Sequence, residues 1–136
     1  TPTPAYTPTP APPPCWCDEP VVDVTPRMLF AGDVFTVSVC VPVAFPKPVD
    51  VYVVIVTPDG QEWSILGDGT ARMGRFPLAR GYTNEECWCG PVLRHTVCEG
   101  ALPGEYTVFL AFMPAGMPPD VRKVLGIAGV HAEVFP

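Results

Sequence analysis

The residues with the widest chemical scope in this 136-residue chain are its 6 cysteines, Cys15, Cys17, Cys40, Cys87, Cys89 and Cys98. An even number of cysteines in a chain of secreted character reads first as a disulfide set. Four of them sit in an internal echo, in which Cys15-Trp16-Cys17-Asp18-Glu19-Pro20-Val21 resembles Cys87-Trp88-Cys89-Gly90-Pro91-Val92. A Cys-x-Cys pair bonded to itself closes a small, strained ring. Two extended CWC segments instead put both sulfurs of each on one face and the tryptophans on the other. The preferred pattern is therefore a double clasp between the CWC elements, within one chain or between neighbours, leaving Cys40 to Cys98. Two other readings compete. Four thiolates could hold zinc, although structural zinc sites use wider spacings, and a c-type haem needs C-x-x-C-H, which neither CWC supplies. Trp16 and Trp88 read as apolar cover for the bridges or as a surface for stacking sugar.

The remaining candidates for chemistry are few. The only serines, Ser38 and Ser64, fall inside valine-rich segments with no G-x-S-x-G elbow. The only histidines, His95 and His131, also lie in strand-like segments, and no H-x-x-x-H or H-E-x-x-H spacing occurs. The acidic pairs Asp18-Glu19 and Glu85-Glu86 are adjacent in sequence, so in extended chain they point to opposite sides and make no paired-carboxylate site. Asp68-Gly69-Thr70 offers one calcium ligand without the D-x-D-x-D-G run that would build a site. The expectation is a non-catalytic protein with no cofactor and no metal.

The elements that must position these residues are β-strands. After residue 14 the text becomes valine-rich segments separated by turn residues, with strands predicted at about Val21–Val24, Asp33–Val41, Val49–Thr57, Gln61–Leu66, Val92–Cys98, Glu105–Met113 and Ile127–Phe135. In the second, Phe35, Val37, Val39 and Val41 share one face, the period of two that a half-buried strand requires. VDVYVVIV and YTVFLAFM are apolar on both faces, which places them centrally with something covering the outer side. Thr57-Pro58-Asp59-Gly60 reads as a hairpin, because proline presets φ and the Asp-Gly pair tolerates positive φ. Tyr106, just after a Pro-Gly turn, is placed like the tyrosine corner of immunoglobulin-like sandwiches. The fold class is all-β, an immunoglobulin-like antiparallel sandwich of about seven strands over residues 15–136.

Residues 1–14, TPTPAYTPTPAPPP, form a separate arm with seven prolines and four threonines. Proline fixes its own φ and pushes its predecessor to extended geometry, so the arm is predicted to be polyproline II, about 40 Å long. Its threonines match the composition of O-glycosylated stalks. A chain beginning at Thr1 fits a secreted protein whose leader has been removed. Fourteen acidic against 8 basic residues give a net charge of −6, the opposite of a nucleic-acid or anionic-lipid footprint. No apolar run approaches the ~18 residues of a membrane span. Against that acidity, Arg72, Arg75 and Arg80 cluster with Met73, Phe76 and Leu78 in the long connection from Gly67 to Cys87. They read as a contact surface for the acidic part of an identical subunit, or as a loop folded over its own sheet.

The segments VDVYVVIVTPDG, LPGEYTVFLAFMPAG and IAGVHAEV, across Val49 to Phe135, resemble the immunoglobulin-like domains of bacterial secreted and surface proteins. The resemblance implies adhesion, spacing or assembly and carries no catalytic residues; the arm and the six cysteines depart from it. The functional expectation is an extracellular structural subunit that assembles into a filament or surface layer through its arm. The alternative is a stalk-tethered module of a larger secreted enzyme or adhesin, binding carbohydrate or protein through loops and Trp63, Trp16 or Trp88.

Overall fold

The structure, a computed structural model, describes residues 19–41, 47–83 and 88–136. Among these it contains ten strands, one 3-10 turn at Val121–Lys123 and no α-helix. Seven of the strands are the expected ones: β1 (Val21–Thr25), β3 (Val34–Val41), β4 (Val49–Val56), β5 (Glu62–Ile65), β8 (Trp88–Thr96), β9 (Gly104–Pro114) and β10 (Gly126–Val134). Three short ones raise the count from seven to ten: β2 (Met28–Leu29), β6 (Ala71–Met73) and β7 (Ala79–Tyr82). The last two lie in the long connection after Gly67.

The strands form two sheets. The smaller has the order β1-β3-β8, all antiparallel. The larger has the order β2-β10-β9-β4-β5-β6, with β7 also on β4 and the β2–β10 pair parallel. Side-chain alternation explains how they meet. Val37, Val39 and Val41 of β3 and Val22 and Val24 of β1 face Val49, Val51 and Val53 of β4 and Val108, Leu110 and Phe112 of β9 in one buried cluster. Truncating a fully buried member such as Leu110 to alanine costs about 2–5 kcal/mol, because the cavity only partly collapses.

The two central strands are buried on their outer faces at one end as well. Asp50 and Tyr52 of β4 and Met113 of β9 are buried there. The chain after β6 returns alongside β4, where β7 pairs with it and the Leu78 amide donates to the Val51 carbonyl at 2.7 Å. Ser64 anchors that return: its hydroxyl, fully buried, donates to the Gly74 carbonyl at 2.6 Å and accepts from the Phe76 amide at 2.9 Å. Tyr106 donates its hydroxyl to the Leu102 carbonyl, four residues upstream, at 2.7 Å. Burial pushes that phenol above its ordinary pKa.

Candidate functional site

The cysteine pairing differs from the sequence expectation. Cys40 bonds to Cys89, with 4.1 Å between their Cα atoms, and Cys98 is a free, exposed thiol. The register explains it. Cys40 and Cys89 stand directly opposite each other in the β3–β8 ladder, whereas Cys98 lies beyond the far end of the same ladder, past the Val34–Thr96 pair. Six residues at about 3.3 Å each separate Val34 from Cys40, far outside disulfide reach. The Cys40–Cys98 bond is thus replaced, and Cys89 is not available to a clasp between CWC elements. Cys15, Trp16, Cys17 and Cys87 lie outside the described residues.

The two sheets are unequal, and the inequality opens a cleft. Sheet β1-β3-β8 ends at β8, while the opposing sheet continues through β5 and β6, so the inner face of β5 near Trp63 has no strand above it among the described residues. The result is a cleft of about 670 Å³ lined by Phe35, Trp63, Leu93, His95, Cys98 and Tyr106, among others. None of its lining residues is Asp, Glu, Lys or Arg. The His95 ring meets Phe35 edge-on, with centroids 6.0 Å apart. The cleft opens at the end of the molecule where β3 begins and β8 ends.

A second, smaller groove of about 180 Å³ lies on the outer face of the large sheet, floored by Tyr52, Val54, Phe109 and Ala111. Its rim carries Glu62 and Arg75, which are joined in an ion pair that holds the Glu62 carboxyl below its ordinary pKa, chiefly through the arginine's hydrogen bonds. The Asp50 carboxylate, buried beside it, accepts from the Gly81 amide at 2.9 Å and the Gly116 amide at 3.1 Å. It ties the β7 strand and the turn after β9 to one strand. The Tyr52 phenol is raised, first by burial and then by the Asp50 charge, with Arg80 opposing. Asp50 was hidden in sequence by the apolar run around it; the signal was a single acid inside VDVYVVIV.

The expected arginine patch is partly spent on the molecule itself. Arg75 is in the pair with Glu62, and the Arg72 guanidinium lies 4.2 Å from the centroid of the Phe76 ring. Arg80 is exposed. Trp88 is exposed at the Cys40 end of β8, paired opposite Val41, while Trp63 lies in the cleft towards the other end, so the two do not share one flat surface. His131 is exposed, its Nδ1 3.0 Å from the Thr107 hydroxyl. Asp68 caps the turn before β6 by accepting from the Thr70 amide and hydroxyl, which lowers its pKa. Among the described residues no three His, Cys, Asp or Glu side chains converge to hold a metal.

No family model matches the chain, and no curated protein matches it. Among solved structures it is similar to the Pseudomonas fluorescens alkylpurine DNA glycosylase AlkC bound to DNA containing an abasic site analog, at 18% identity and a TM-score of 0.39. The match covers 85% of this chain and 30% of that one, so the chain spans under a third of the glycosylase's length.

Proposed function

We propose that the chain is a non-catalytic, immunoglobulin-like structural subunit of the cell exterior that assembles with copies of itself end to end. The observation that carries this is the placing of exposed apolar side chains. Met28 (65% exposed), Phe30 (53%), Val34 (44%) and Leu102 (43%) gather at the end where the cleft opens, and Val21 (46%) and Trp88 (43%) at the other, while Met73 on β6 and Leu125 and Ile127 at the start of β10 are exposed as well. Two unlike, sticky ends make a head-to-tail contact, and such a contact propagates into an open chain rather than closing a dimer. The Tyr106–Leu102 bond and the strand order β1-β3-β8 against β10-β9-β4-β5 support the immunoglobulin-like reading. The Cys40–Cys89 disulfide accords with an oxidising compartment, and no helix among the described residues is long and apolar enough to cross a membrane.

Sedimentation velocity of the full chain across a hundredfold concentration range, with electron microscopy of the heaviest fraction, tests the reading. A concentration-dependent series of linear oligomers supports it. A monomer at every concentration overturns it and favours the tethered binding module, for which the outer groove at Tyr52 and Phe109 is the natural ligand site.

A further inference from the structure

We infer that the inter-sheet cleft is a binding site for a small, uncharged aromatic molecule, held between ring-bearing side chains of the two sheets. The inference goes beyond the self-assembly reading and does not depend on it.

The cleft is graded from floor to mouth. Its floor is aliphatic and closed to water, with Leu29, Leu93, Val108 and Val134 all buried. Above the floor stand rings from four different strands. Phe35 of β3 and His95 of β8 belong to the smaller sheet, and Trp63 of β5 and Tyr106 of β9 to the larger. Packed sheets stand about 10 Å apart, so a flat ring entering between these two meets aromatic side chains on either side. Such ring contacts add to the gain from burial alone, which favours an aromatic ligand over an aliphatic one of equal size.

The polar groups of the lining select against sugars and ions. The Thr57 hydroxyl accepts from the Gln61 amide at 2.9 Å and donates to the Asp59 carboxylate. The Thr70 hydroxyl donates to Asp68 at 2.6 Å, and the Tyr106 hydroxyl to the Leu102 carbonyl at 2.7 Å. Three of the four hydroxyls in the lining are thus committed, leaving Thr96, the Trp63 indole N–H and the His95 ring to meet a ligand. A sugar, with a hydroxyl on nearly every carbon, would bury more polar groups than these can pair, and each unpaired one weakens binding. A charged molecule fares worse, because no Asp, Glu, Lys or Arg lines the cleft to balance it.

Size separates this site from the outer groove. The cleft's volume of about 670 Å³ lies within the ~300–1,000 Å³ of sites that enclose small ligands. The outer groove, at about 180 Å³, lies below that range and carries the Glu62–Arg75 ion pair on its rim.

The test uses the full chain at the lowest concentration of the sedimentation series, so that a second copy does not cover the cleft end. Two fluorescent probes are compared: N-phenylnaphthylamine, which is uncharged, and anilinonaphthalenesulfonate, the same ring frame with a sulfonate added. Saturable enhancement of N-phenylnaphthylamine emission is expected, with the sulfonate binding at least about tenfold more weakly. Bound N-phenylnaphthylamine is expected to slow the alkylation of Cys98, an exposed thiol of the cleft lining, by iodoacetamide, followed on its own peptide by mass spectrometry. Trp63→Leu removes a half-buried ring and keeps an apolar side chain. It is expected to weaken N-phenylnaphthylamine about three- to tenfold with circular dichroism unchanged. No saturable binding, equal affinity for the two probes, or an undiminished affinity in folded Trp63→Leu overturns the inference. So does unaltered Cys98 alkylation in the saturated parent chain, which places the probe elsewhere and needs no variant to fold.

Discussion

The Cys40–Cys89 bond gives the most exacting check on the architecture, because it depends on the register of β3 against β8. The perturbation is the double substitution Cys40→Ala/Cys89→Ala, compared with Cys98→Ser. The bond links residues 49 positions apart. By the chain-entropy relation a closed loop of that length stabilises the folded state by about 4 kcal/mol at 25 °C, relative to the unlinked chain. With a urea dependence of about 2 kcal/mol/M, the double substitution should lower the unfolding midpoint by about 2 M. Cys98 is exposed and free, so Cys98→Ser should stay within about 0.5 kcal/mol of the parent. The assay is equilibrium urea unfolding followed by tryptophan fluorescence under non-reducing conditions. A large loss from Cys98→Ser together with a small one from the double substitution would refute the register and restore the Cys40–Cys98 pairing.

Three further outcomes are expected. Asp50→Ala strips the Gly81 and Gly116 amides of a charged acceptor and should destabilise by about 3 kcal/mol or more, read as a lower denaturation midpoint. The Glu62–Arg75 pair holds the Glu62 pKa down, so its stabilisation is complete above the ordinary glutamate range and fades as pH falls through the lowered value. Glu62→Gln should remove that pH dependence, and the difference should stay below about 1 kcal/mol because both side chains are substantially exposed, as thermal unfolding between pH 7 and pH 3 would show. Gly104→Ala forces a side chain into a backbone with φ of +129° and against the Pro58 ring carbons at 3.0 Å, and should cost about 1–3 kcal/mol by the same unfolding assay.

Much of the scaffold was legible because β-strands write their burial into a period of two. Phe35, Val37, Val39 and Val41 declared their common face, and the doubly apolar runs declared β4 and β9 as central strands. The start of β8 was less legible, since Gly90-Pro91 reads as a turn. In the structure β8 runs through it, and the register slips between Val37 and Ser38 so that Leu93 and Pro91 face successive residues of β3. A proline is admissible there because β8 is the terminal strand of its sheet among the described residues and the ladder is already interrupted. The disulfide was misread for a related reason: the CWC echo is a local similarity, and pairing is decided by which residues the register sets opposite each other. The cleft had no local signature at all, being the difference between a three-stranded sheet and a longer one facing it.

The placing of the disulfide also bears on how a pull along the molecule would be carried. Val21 stands beside Cys40 at one end, and Val134, near the other terminus, beside Gly104 at the opposite end. A tug on the two termini therefore runs lengthwise and loads the β1–β3 and β9–β10 ladders in shear, where many hydrogen bonds must yield together. The covalent link between β3 and β8 takes the 49 positions it spans, roughly 160 Å of extended chain, out of the path. Until it is reduced, that segment adds nothing to the molecule's stretched length, which makes the chain a short, stiff spring with its slack locked away.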